Sequence, residues 1–204
     1  MSRRTVTRRS ALRILGAGAG SVAVLPWLSE EGVAAFAEIQ RAKAAPSLKV
    51  LSAPQYATLA ALSEAIIPAD ERSPGAAEAR VADYVDLILG EADDKLRQEW
   101  LDGLAALDAD AAARFGAPFA GLTAPQVEAM LTEISGNEKV KEGKSLVEKF
   151  FVTAKQATIH GYYTSEIGIH KELRYKGNQL LAEFVGCRTV DGTDCPHCGQ
   201  KAQA

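Results

Sequence analysis

The sequence of 204 residues lacks several features that would define a function at once. Lys and Arg number 23 against 26 Asp and Glu, so the formal net charge is −3 and there is no basic excess of the kind that binds nucleic acid. With 17 Gly and 8 Pro, the chain is neither low-complexity nor collagen-like. The 47% of hydrophobic residues is the share of an ordinary globular domain. No nucleic acid is expected as a partner.

Motifs for catalysis and for cofactor binding are also missing. The sequence contains no His-Glu-x-x-His, no Gly-x-Ser-x-Gly and no Cys-x-x-Cys-His. Its three cysteines are too few for an iron–sulfur site with four thiolates. The glycines at 16, 18 and 20 follow no strand, so they do not indicate a dinucleotide site. We therefore predict no catalytic, cofactor-binding or metal-binding residues in this chain.

The N-terminal segment, residues 1–37, has the charge order of an export signal. Arg8 and Arg9 match the twin-arginine signature of the Tat pathway, which exports folded proteins. Sixteen uncharged residues precede Glu30, fewer and less apolar than the ~20 of a spanning helix. The Ala-Phe-Ala sequence at 35–37 is a candidate cleavage site. We expect a periplasmic protein exported by the Tat translocase, with an uncleaved, membrane-associated leader as the alternative because acids lie so close before that site.

Four segments follow from this assignment. Residues 1–37 are the signal, 38–50 a tether, 51–187 a helical partner-binding domain and 188–204 a cysteine-containing tail. Removal of the signal takes away five basic and two acidic residues, which changes the formal net charge from −3 to −6. The near-neutral total therefore combines a basic leader with an acidic body.

Apolar residues in the body recur at helical spacing. One helix opens at Ser52-Ala53-Pro54 and ends at Pro68, and another opens at Thr123. Further helices are predicted at 76–90, 93–113 and 144–159, the last with Leu146 and Phe150 facing inward. No alternating run with a hairpin turn occurs. The fold class is therefore all-α, a single small domain of five or six helices.

All three cysteines, Cys187, Cys195 and Cys198, lie in the last eighteen residues. In an oxidising compartment a structural disulfide is the favoured interpretation, and the cysteine left over stays reduced or bridges to a second chain. The pairing stays open. Cys195-Pro-His-Cys198 also admits two other functions: a periplasmic thiol–disulfide oxidoreductase, or a metal-handling protein that uses His197 as well.

The aromatic residues around the last predicted helix are candidates for a partner interface. Phe150, Phe151, Tyr162 and Tyr163 combine large contact areas with polar tips. Ordinary packing in the core at the end of the helix is an equal alternative. His160 lacks an acidic partner at a local spacing, so it is interpreted as structural rather than as a general base.

Four sequence features together resemble one known family. They are the twin-arginine leader, the block Leu59–Pro68 followed by an acid and a Pro-Gly turn, the block Val81–Asp86, and the stretch from Gly161-Tyr-Tyr-Thr-Ser-Glu-Ile-Gly168 through Gly186-Cys187. In these features the chain resembles the gluconate 2-dehydrogenase subunit 3 family, the small subunits of flavin-dependent sugar dehydrogenase complexes.

The resemblance implies an accessory subunit, not an enzyme. Such a subunit carries no redox centre and binds a large FAD-dependent subunit of the glucose–methanol–choline (GMC) type. That partner has no signal of its own and crosses the membrane together with the small subunit, as a hitchhiker. A third subunit is often a cytochrome c, whose haem c accepts the electrons. Substrates in the family are sugars, glycosides and gluconate.

Overall fold

A computed structural model describes residues 28–42, 47–136, 143–175 and 177. The chain divides into two units, Met1–Arg174 and Tyr175–Ala204, and almost all described residues belong to the first. Within the described residues there is no strand, which confirms the all-α class. The helices are α1 (Glu30–Ala42), α2 (Ala53–Ile66), α3 (Val81–Glu91), α4 (Asp94–Phe115), α5 (Ala124–Gly136) and α6 (Leu146–Tyr163), with a 3-10 turn at Phe119–Gly121 and a π-helical turn at Gly168–Glu172.

The predicted helix openings at Ser52 and Thr123 are confirmed. The backbone N–H and the hydroxyl of Ser52 donate to Oε1 of Gln55 at 2.9 and 2.8 Å. Thr123 makes the same two bonds to Gln126, at 2.8 and 2.9 Å. Both segments carry Pro within the first turn, where its missing N–H costs no internal hydrogen bond. Each start is therefore encoded by a few adjacent residues.

The core lies around α3, which is buried on all sides. Every residue from Val81 to Leu89 is buried, and α1, α2 and α6 all pack against this helix. Helix α4 packs against α2 and α6 and presents Trp100 to Phe150 of α6, with the two rings edge to face and their centroids 5.4 Å apart. This packing needs Gly103 on α4, because a Cβ there would lie 2.1 Å from Cδ2 of Phe150.

Helix α1 spans residue 37, the boundary expected from the sequence between the leader and the tether. The structure has one helix across this division. Phe36 is 4% exposed and its ring lies 5.2 Å from that of Tyr84 on α3. Phe36 is thus one of the contacts that attach this helix to the core.

Two details of the predicted helices are wrong. The helix predicted at 76–90 begins only at Val81, because Arg80 has a left-handed backbone conformation with φ 59° that interrupts it. Leu146, predicted to face inward, is 53% exposed, since it is the first residue of α6 and precedes the packed part of the helix.

We predict that Gly103→Ala destabilises the protein by about 1–3 kcal/mol, because the new methyl group forces the Phe150 ring out of its position. Gly136→Ala is the matched control, since a Cβ there meets nothing within 4 Å. Its stability should be unchanged or up to ~1 kcal/mol higher. Urea unfolding measures both, and equal midpoints for the two variants would contradict the packing described.

Candidate functional site

Three of the sequence blocks that are distant along the chain meet at one place. Ala76, Ala79, Val81 and Tyr162 form a small buried cluster, with Ile67 and Ile167 packed against it. We call these six residues the Tyr162 cluster. It joins the end of α2 and its Pro-Gly turn, the start of α3 and the end of α6. The described parts of these three blocks therefore meet in one buried cluster.

The hydroxyl of Tyr162 is the polar centre of this cluster. It donates to the carbonyl oxygen of Pro74 at 2.8 Å and lies 2.7 Å from Oγ of Ser73. Burial raises the pKa of Tyr162, so the phenol stays protonated and able to donate. Both bonds hold the turn before α3. The Tyr162 hydroxyl thus positions the backbone of this turn.

Two acids hold the rest of that turn. Glu64, near the end of α2, accepts from the N–H groups of Ala69 at 3.1 Å and Ala77 at 2.8 Å. Asp70 accepts from the N–H groups of Arg72 and Ser73, both at 2.8 Å, and these bonds lower its pKa. The carboxylates therefore replace the backbone hydrogen bonds that a loop without secondary structure lacks.

The buried acids of α3 also accept hydrogen bonds, in their case inside the domain. Asp86 accepts from three successive backbone N–H groups, those of Lys49, Val50 and Leu51, at 2.6, 3.0 and 2.8 Å. A buried carboxylate requires such donors, because an uncompensated charge in the core costs several kcal/mol. The segment before α2 is thereby fixed to α3.

Asp83, one turn earlier on α3, lies in a partly buried group with Tyr56 and Arg80. It accepts from the hydroxyl of Tyr56 at 2.7 Å and from Nε of Arg80 at 2.7 Å. Burial, and then the Asp83 carboxylate, raise the pKa of Tyr56. The ion pair also stabilises the left-handed backbone of Arg80 and, with it, the start of α3.

His160 contacts α3 through Tyr84, whose hydroxyl lies 2.5 Å from Nδ1. Burial raises the pKa of Tyr84 to about 12 and lowers the pKa of His160. Near pH 7 both groups are therefore neutral, and the tautomer of the imidazole decides which of the two donates the hydrogen bond. This arrangement agrees with the structural role expected of His160.

The four aromatic residues predicted as an interface do not share one surface. Phe150, Phe151 and Tyr162 are buried, whereas Tyr163 is 39% exposed. Ile159, one turn before Tyr163 on α6, is 41% exposed and was missed by the sequence analysis. Its exposure could have been predicted from its position, because it lies off the face of α6 that carries the buried residues. We call Ile159 and Tyr163 the α6 surface pair.

Several predicted features lie outside the described residues: Arg8, Arg9, Cys187, Cys195, Cys198 and His197. In the part of the chain that the structure does describe, no group of three or more His, Cys, Asp or Glu could hold a metal ion. Nor does any helix in that part have the length and apolarity needed to cross a bilayer.

The fold and the Tyr162 cluster define a small all-α scaffold whose buried polar groups support its own backbone. The family model of gluconate 2-dehydrogenase subunit 3 matches residues 53–179, well over half of the chain, so the protein belongs to this family. By the family's name, its members are subunits of a dehydrogenase complex. No curated protein and no solved structure matches the chain.

We predict that Tyr162→Phe lowers the free energy of unfolding by about 1–3 kcal/mol, because Ser73 and Pro74 lose their buried hydrogen-bond partner. Tyr163→Phe makes the same chemical change at an exposed position and should stay within ~0.5 kcal/mol of the unmodified protein. Denaturant unfolding compares the two. Equal effects would show that the buried hydroxyl does not support the turn.

We also predict a pH dependence from His160. Since its pKa is lower in the folded protein than the usual 6.5, the unfolded chain takes up the proton first as the pH falls. His160 therefore makes the protein less stable as the pH falls below about 6.5, until the folded form is protonated too. His160→Gln should reduce the stability lost between pH 7.5 and 5.5, and His170→Gln, at an exposed position, should not. Thermal unfolding at each pH measures this; an unchanged slope in His160→Gln would refute it.

Proposed function

We propose that this protein is the non-catalytic small subunit of a periplasmic FAD-dependent dehydrogenase complex of the GMC type, acting on a sugar, a glycoside or gluconate. It stabilises the catalytic subunit and carries it through the Tat translocase. The observation that carries the proposal is family membership over residues 53–179. The twin-arginine motif at Arg8 and Arg9 supports the route of export.

The use of polar groups in the fold supports a non-catalytic role. Glu64, Asp83 and Asp86 are each bonded to backbone or side-chain donors of the same chain. Tyr162 and His160 are engaged in the same way. A general acid or base needs a proton-transfer position that faces a substrate, whereas each of these groups is hydrogen-bonded within its own chain. In this proposal FAD is held by the large subunit and haem c by a cytochrome c subunit.

The α6 surface pair is our candidate for part of the contact with the catalytic subunit. Ile159 and Tyr163 are four residues apart, so their side chains lie on the same face of α6. An aliphatic residue beside a tyrosine gives a contact that is apolar at its centre and polar at its tip. The buried Tyr162 holds the backbone next to this face, so the pair is presented rigidly.

Deletion of this chain tests the proposal in its host. We expect the flavin-containing partner to remain in the cytoplasm and the periplasmic dye-linked sugar dehydrogenase activity to be lost. Capture of the tagged full-length chain should bring down a protein with the absorbance of bound flavin. If the flavoprotein is exported and active without this chain, the proposed function is wrong.

We predict that Ile159→Glu lowers the amount of co-purified flavoprotein at least about tenfold, because a desolvated carboxylate opposes an apolar contact. Leu146→Glu is the control: it adds the same charge to another exposed position of α6, roughly 20 Å along the helix. It should leave the yield of the complex unchanged. Equal losses in both variants would rule out the α6 surface pair as a specific contact.

A further inference from the structure

Hydrogen bonds join the start of the N-terminal helix α1 to the core. The backbone N–H and the hydroxyl of Ser29 donate to the two carboxylate oxygens of Glu91, at the end of α3, at 2.9 and 2.7 Å. The Ser29 hydroxyl in turn accepts from the N–H of Gly32 at 3.0 Å. Ser29 therefore supports the first turn of α1 and fastens it to α3.

The middle and the end of α1 are attached as well. Phe36 is 4% exposed and packs on Tyr84. Gly32 is buried beside Glu91, so closely that a Cβ would lie 2.6 Å from its Oε1. The side chain of Gln40 donates to the carbonyl of Ala79 and accepts from the N–H of Glu166, both at 3.3 Å. The helix is thus bound to the domain along its whole length.

The charged residues of α1 are placed at the ends where they stabilise a helix. Glu30 and Glu31 lie in its first turn and Arg41 in its last turn. Acids near the N-terminus and a base near the C-terminus both stabilise the helix through its dipole. The two acids, which are unusual immediately before a signal cleavage site, therefore have a structural reason.

We propose that α1 remains part of the mature protein: the Ala37–Glu38 bond is not cut during export, and any removal of the leader occurs before Leu28. A peptidase hydrolyses a bond in a locally unfolded, exposed segment. Ala37 lies in the middle of α1, directly after the buried Phe36. A protein exported by the Tat route folds first, so the peptidase would meet this helix already packed. A cut would also separate Ser29, Gly32 and Phe36 from the core. Helix α1 lies outside residues 53–179, which the family model matches. Only the statement about cleavage during export rests on the proposed function; the docking of α1 does not.

The mass of the exported protein tests the proposal directly. The full chain with a C-terminal affinity tag is recovered from the periplasmic and membrane fractions of its host and measured by intact mass spectrometry. We expect an N-terminus at or before Leu28. An N-terminus at Glu38 would overturn the proposal.

A second experiment does not depend on export. The full-length protein, purified from the cytoplasm, is treated with a protease specific for glutamate, and the rate of cleavage after Glu38 is followed by mass spectrometry. Cleavage from a transiently detached helix follows the population of that state. We expect Phe36→Ala to be cut at least about tenfold faster than the unmodified protein, and Val33→Ala, at a position of α1 that is 57% exposed, to be cut at the unmodified rate.

Ser29→Ala is the milder variant and keeps the test valid if Phe36→Ala does not fold. It removes the hydroxyl bond to Glu91 and should accelerate cleavage about fivefold. Equal cleavage rates in the unmodified, Ser29→Ala and Val33→Ala proteins would overturn the proposal. If the chain never leaves the cytoplasm, the proposed function fails, and the protease experiment still decides whether α1 is docked.

Discussion

The fold depends on the burial of two carboxylates on a helix that is covered on all sides. Asp83 and Asp86 lie on α3 among apolar residues, and each needs hydrogen-bond donors to offset the loss of water. Asp86 takes three successive N–H groups from the segment 49–51. Asp83 takes Tyr56 and Arg80. These bonds fix where α2 enters the core and where α3 begins; α1, α4 and α6 pack against one or both of these helices, and α5 packs against α6.

At the other end of α2, around the Tyr162 cluster, side chains again form hydrogen bonds with the backbone of another segment. A turn without regular structure between α2 and α3 has its backbone groups bonded by Glu64, Asp70 and Tyr162. As a result, residues 88 and 89 positions apart in the sequence are hydrogen-bonded to one another. For the proposed role of holding a partner, a rigid base behind the exposed α6 surface pair is more useful than a reactive group, because preorganisation reduces the entropy lost on binding.

Helix existence was well predicted from the sequence, since capping residues and the 3.6-residue apolar period act locally. The positions of α2 and α5 follow from Ser52 and Thr123 with their following prolines. The start of α3 could not be predicted, because the left-handed Arg80 is stabilised by Asp83 and by the packing around it. Helix α1 was missed, because small residues before an Ala-x-Ala site have the composition of a leader.

In the candidate interface, too, some features follow from the sequence and others only from the tertiary structure. The sequence by itself determined that aromatic residues concentrate around α6, that the domain is all-α and that it belongs to a family of dehydrogenase subunits. Only the tertiary structure decided that Tyr162 faces inward and its neighbour Tyr163 outward. Adjacent helical residues point about 100° apart, and which of them is buried depends on where α3 and the Pro-Gly turn lie. Those positions are set by hydrogen bonds between segments that are far apart in the chain, which local spacing does not encode.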